Sequence, residues 1–152
     1  MAKKILILCC GYPYSTDTGF GYHVSKELER MKLPANVDLM EVGFSACMIP
    51  HIMQEQDKLI IIDIFNTEDA PGTVVRLLTE EVPLTISDGK SDAAKVHLMD
   101  TLDQLKLTGD CPETIFIGVK PVDGRTEGEQ LTPEVQSKVP IIIEMIKQEI
   151  SS

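Results

Sequence analysis

Asp63 stands in the setting that most demands a chemical explanation. It interrupts the run Leu59-Ile-Ile-Ile-Asp63-Ile-Phe65, which is short, rich in β-branched residues and apolar at successive positions, as strands buried on both faces are. An unpaired carboxylate in such a strand is costly, so something must satisfy it. Two readings stay open: Asp63 accepts loop N–H groups and braces a turn, or it faces a ligand and takes part in binding or catalysis. The loop of residues 11–21, Gly-Tyr-Pro-Tyr-Ser-Thr-Asp-Thr-Gly-Phe-Gly, is the second candidate. It offers the carboxylate of Asp17, three Ser/Thr hydroxyls and glycines that let a ligand approach the backbone. A helix beginning after it would turn its positive end toward the same place, where Asp17 can cap it. Gly19-Phe-Gly21 is followed by Val24 where a dinucleotide fingerprint has its third glycine, so a Rossmann reading is weak. Cys9, Cys10, Cys47 and Cys111 include no C-x-x-C pair and read as buried, reduced thiols.

The elements that must position these groups follow from periodicity. Strands are predicted at residues 5–10, 37–42, 59–65, 74–79 and 114–119. The segment between the third and fourth, Asn-Thr-Glu-Asp-Ala-Pro-Gly-Thr, is too short for a helical crossover, which predicts that these two pair antiparallel. Helices are expected at 21–31, 48–56, 92–107 and 133–150. The last has Thr132 as N-cap, Pro133 at its first position, a Val135, Val139, Ile142, Ile146, Ile150 stripe, and a kink at Pro140. In the third, Ala94, Leu98, Leu102 and Leu105 form the expected buried stripe. Strands alternating with helices give an α/β fold: one three-layer α/β/α domain over residues 1–152 with a mostly parallel, mixed sheet. Ligands of such sheets sit outside the carboxyl ends of the strands, where the strand order reverses. The loop 11–21, residues 43–47 and Asp63 all meet that description.

Composition narrows the partners. With 14 Lys+Arg against 24 Asp+Glu the net charge is -10, which argues against nucleic acid and anionic membrane surfaces and is compatible with a basic peptide or a metal cation. No apolar stretch approaches the roughly 20 residues that span a bilayer, and the N-terminal apolar run is six residues long with no small-residue cleavage site after it. A cytoplasmic protein without membrane insertion is expected.

Seven segments, in order and spread over nearly the whole chain, give it a family resemblance: Ile5-Leu-Ile-Leu, Thr16-Asp17-Thr18-Gly19-Phe20-Gly21, Leu59-Ile-Ile-Ile-Asp63, Ala70-Pro71-Gly72-Thr73, Leu107-Thr108-Gly109-Asp110, Ile117-Gly118-Val119-Lys120-Pro121 and Leu131-Thr132-Pro133-Glu134-Val135. The sequence resembles the hydrogenase maturation peptidases, which trim the C-terminal extension of the nickel-iron hydrogenase large subunit after nickel insertion. The resemblance implies a metal-dependent endopeptidase that recognises a nickel-loaded large-subunit precursor. It places Asp63 at one metal-ligand position. At the other two, Thr18 stands for a carboxylate and Ala94 for a histidine, Gly11-Tyr12 replaces a glycine-asparagine pair, and Val42-Gly43-Phe44 replaces a glycine-rich turn. His97, one helical turn beyond Ala94, offers a replacement imidazole. The implied ligand set is then Asp63, Asp17 and His97, whose oxygen and imidazole donors suit nickel or another divalent transition metal, bound weakly or supplied by the precursor. The two departures also admit a binding-only relative, a hydrogenase assembly factor. His23 and His51 read as structural or surface residues. A flavodoxin-like FMN electron carrier is the alternative from another class, since Ser15-Thr-Asp-Thr-Gly19 resembles a hydroxyl-rich phosphate loop.

Overall fold

The computed structural model describes residues 2–43, 50–86 and 88–152. The segment of residues 44–47, with Cys47, and the first two residues of the helix expected at 48–56 therefore lie outside the described residues. Five strands, β1 (Ile5–Cys10), β2 (Val37–Gly43), β3 (Lys58–Ile64), β4 (Val74–Leu77) and β5 (Glu113–Val119), form one sheet in the order β2-β1-β3-β5-β4. β1, β2, β3 and β5 run parallel, and β4 lies antiparallel on the edge against β5. The sheet is mixed as expected, but the antiparallel partner differs from the predicted one. Both edges of β3 are taken, by β1 and β5, so the chain after Phe65 passes over the end of β5 before turning back along it. The Phe65 and Gly72 N–H groups donate to Val119 and Lys120 carbonyls on that route.

Alternate residues of the central strands feed two apolar layers, as the two-residue period of a strand requires. Ile5, Ile7 and Cys9 of β1 pack with Ile60 and Ile62 of β3 against α1 (Phe20–Glu29) and α5 (Val139–Ser151). Leu6, Leu8 and Cys10 pack with Leu59 and Ile61 against α2 (Pro50–Gln54) and α3 (Ala93–Thr108). Each fully buried Leu or Ile stabilises the fold by about 1.5–3 kcal/mol, and the three-layer α/β/α architecture follows. The C-terminal segment is not one kinked helix. It is α4 (Pro133–Gln136) and then α5, because Pro140 has no N–H to give and sits instead in the first turn of a new helix. Thr132 occupies the N-cap position of α4 without capping it; its hydroxyl is directed to Asp17.

At the amino ends of the strands, Lys58 is buried with its Nζ 2.8 Å from Glu149 Oε2, while Arg76 Nε donates to Glu149 Oε1. Burial raises the Glu149 carboxyl, but the hydrogen bonds from Arg76 and Lys58 outweigh it and hold the group below its ordinary value of 4.5. A carboxyl depressed in the folded state stabilises it above the unfolded pKa and loses that contribution as pH falls through the folded value. Wild-type protein is thus expected to lose stability below pH 4.5 more steeply than Glu149→Gln, which lacks this titration; equal acid slopes in thermal melts across that range would count against the assignment.

Candidate active site

The chain leaves β1 for β2 on one side and later returns to β3 on the other, so strand order reverses between β1 and β3. A crevice of ≈ 210 Å³ opens at their carboxyl ends, the position expected of a ligand site in such a sheet. β1 contributes Cys10 and the following Gly11, β3 contributes Asp63 and Ile64, and α3 closes the wall with Ala94, Lys95 and Leu98. Gly11 has φ 119, and a Cβ there would lie 2.1 Å from the Thr18 carbonyl oxygen. Only glycine lets the loop fold back so closely over the strand end.

Asp63 is held from two sides. Its Oδ1 accepts the Ile64 N–H at 2.8 Å, and its Oδ2 lies 3.3 Å from Lys95 Nζ. The same ammonium is 3.2 Å from Asp92 Oδ2 and stands over the Phe65 ring, 5.1 Å from its centroid. Asp92 is the N-cap of α3, and its Oδ1 accepts the Lys95 N–H, so one carboxylate both caps the helix and pairs with the side chain three residues on. Burial raises the Asp63 carboxyl, with the Lys95 charge and the Ile64 N–H pulling against it. For Lys95 burial lowers the pKa, but the two carboxylates outweigh it and keep the ammonium protonated. Burial also pushes the Cys10 thiol well up.

Thr18 and Ala94, the two positions where the resemblance places metal ligands, line this same crevice beside Asp63. Asp17 and His97 do not. Asp17 is fully buried beneath the loop: its carboxylate accepts the N–H groups of Val122, Asp123 and Thr132, each at 2.9 Å, together with the Thr132 hydroxyl. Every strong acceptor direction is used inside the protein, and the helix-capping role expected for it is absent as well, since Gly19 is the N-cap of α1. His97 is exposed on α3 and is not part of the crevice wall; Ala94 is at the edge of the inward face that it shares with Lys95 and Leu98, and the step of roughly 60° from Ala94 to His97 goes the other way, toward solvent. The expected set Asp63, Asp17 and His97 therefore does not assemble, and among the described residues no cluster of three or more His, Cys, Asp or Glu side chains gathers as metal donors. His23 Nε2 meets the Glu129 carbonyl at 2.8 Å, a structural contact. His51 falls in α2, with its side chain outside the described part.

Lys95 and Asp92 were not among the sequence candidates. Their signal was present: Lys95, Leu98, Leu102 and Leu105 recur at helical spacing, which puts a lysine in the buried stripe that periodicity assigns to Ala94, and Asp92 precedes it at capping distance.

The hydrogenase maturation protease family (HycI) matches residues 22–149. The chain belongs to this family. Among its relatives, the hydrogenase 2 maturation protease of Escherichia coli is 32% identical over 146 residues, covering 94% of this chain and 88% of that protein. The hydrogenase expression/formation protein HupD of Rhodobacter capsulatus is 29% identical over 143 residues, covering 93% and 68%. Among solved structures, the hydrogenase maturating endopeptidase HybD of Escherichia coli superposes with a TM-score of 0.84 at 27% identity, covering 94% of this chain and 89% of that one. The flavodoxin-like alternative is set aside. Two of the three hydroxyls it relied on are spent inside the maturation-protease fold, Thr18 on the Tyr12 and Ser15 carbonyls and Thr16 on the Thr126 carbonyl.

Proposed function

We propose that this chain recognises the C-terminal region of a nickel-loaded, nickel-iron hydrogenase large-subunit precursor, in the cytoplasm, and that the crevice between β1 and β3 is where that region docks. The observation that carries the reading is the convergence of Asp63, Thr18 and Ala94 on one crevice at the reversal of strand order, in a chain of this family. Ile86 lines the crevice and is exposed, as is Val122 in an adjoining hollow of ≈ 130 Å³, so apolar surface continues outward from the mouth for a peptide to lie on. Nickel enters as cargo of the precursor. The donors present do not fit a metal resident in this chain: Asp63 is paired with an ammonium, Ala94 carries a methyl group, and the Thr18 hydroxyl donates to loop carbonyls.

A second reading, an assembly factor that binds the precursor without cutting it, is favoured by Thr18 and Ala94 standing where the family resemblance puts a carboxylate and an imidazole. Incubation of purified protein with nickel-loaded precursor separates the two. Co-elution with C-terminal shortening by mass spectrometry is the expected result for the peptidase, co-elution with precursor of full length marks the assembly factor, and failure to associate in either nickel state overturns both.

A further inference from the structure

We propose that the Lys95 ammonium is a built-in cation that fills the metal position of the crevice and closes Asp63 and Asp92 to free divalent ions. Its Nζ has three donors, and three acceptors surround it: Asp63 Oδ2 at 3.3 Å, Asp92 Oδ2 at 3.2 Å and the face of Phe65. The Lys95 side chain is 8% exposed, against 15% for Asp63 and 17% for Asp92, so the group is inside the wall and not a surface lysine leaning over it. An ion pair this enclosed is retained only with its partners in place, because either charge alone would be buried without compensation.

The arrangement does for the two carboxylates what a divalent ion would do, with a charge that cannot dissociate. It draws Asp63, at the end of β3, and Asp92, the cap of α3, onto one centre. It also leaves little for an incoming cation to gain: a metal approaching Asp63 meets an ammonium within hydrogen-bonding distance of the oxygen it needs, with the methyl group of Ala94 in the same wall. Lys95 is therefore a positioning residue that sets the cation selectivity of the crevice. The consequence for the precursor rests on the proposed function: nickel carried by the precursor is met by an internal positive charge, and this chain contributes no metal of its own to docking.

Nickel titration of the purified chain, followed by calorimetry and by thermal melts, tests this without any precursor, so its outcome is separate from the fate of the docking assignment. Wild type and Lys95→Arg, which keeps the charge, are expected to show no saturable nickel binding and no nickel-dependent rise in melting temperature. Lys95→Gln and Lys95→Ala uncover the carboxylate pair and are expected to gain nickel affinity by at least roughly tenfold, with a melting temperature that rises with nickel concentration as ligand linkage requires. Adding Asp63→Asn to Lys95→Gln is expected to abolish the gain. Saturable binding by wild type that Asp63→Asn removes would overturn the proposal. So would a folded Lys95→Gln protein that binds nickel no better than wild type. Lys95→Gln keeps a donor for one carboxylate and so covers the case in which Lys95→Ala does not fold.

Discussion

Asp17→Ala is expected to lower stability by about 3–5 kcal/mol, at the upper end of single-substitution effects, as breaking a hydrogen-bond network around a buried carboxylate does. For a chain of this size that corresponds to a fall in melting temperature on the order of 10 °C. The size of the effect follows from what the carboxylate holds. The N–H groups of Val122, Asp123 and Thr132 and the Thr132 hydroxyl all donate to it in part-buried hydrogen bonds, and with it gone all of these donors lose their acceptor at once. These donors belong to the chain after β5 and to the start of α4, whereas Asp17 sits in the 3-10 turn Thr16–Gly19 that follows β1. Loss therefore loosens the loop that carries Thr18 to the crevice from the segment after β5 that lines the adjoining hollow. Thr16, in a left-handed conformation with φ 53, is fixed by its N–H donating to the Gly128 carbonyl and its hydroxyl to Thr126, and it should lose that restraint along with Asp17. Asp17→Asn is expected to be milder, since the amide oxygen keeps part of the acceptor set. Differential scanning calorimetry of the two variants checks both. A melting temperature within a few degrees of wild type for Asp17→Ala would show that the loop does not depend on this carboxylate.

The strand and helix pattern was legible because it is written in periodicity. β1 begins and ends at the predicted residues, and the buried runs of β3 and β5 fall within one or two residues of prediction. The partner of β4 was not legible, since a short antiparallel edge strand carries no information about which neighbour has an open edge. Of the crevice, Asp63 announces itself as a carboxylate in an apolar strand, and the convergence of Thr18 and Ala94 on it follows from the order of the elements. Asp17 was misread for a physical reason. A carboxylate after the first strand of an α/β sheet looks the same in sequence whether it faces a ligand or collects amides from a segment more than a hundred residues away, and only long-range packing distinguishes the two. Lys95 was missed because a lysine in a helix ordinarily keeps its head group in water. The partners that let it stay inside come from another element, β3, and from the cap of its own helix.

The same geometry sets the terms on which a metal site could be rebuilt. Thr18 and Ala94 already face the crevice that Asp63 lines, so Thr18→Glu and Ala94→His would supply a second carboxylate and an imidazole, donors that suit nickel. With Lys95 in place those two changes alone are expected to give little affinity, because the ammonium still occupies Asp63 Oδ2 and repels the incoming ion at short range in a poorly screened crevice. Adding Lys95→Ala removes that competitor and frees Asp63 to join the new ligands. The triple variant is expected to bind nickel with a dissociation constant of roughly micromolar, about 8 kcal/mol of binding free energy, against no saturable binding in wild type. Calorimetric titration of wild type, the double variant and the triple variant reads this directly, and the d–d absorption of a bound nickel ion reports whether oxygen and nitrogen donors are in its shell. Tight binding by the double variant with Lys95 retained would mean that the side chain swings out at little cost and holds no fixed place. A folded triple variant that stays silent would mean that Thr18, Asp63 and Ala94 share a wall but do not converge on one point within ligand distance.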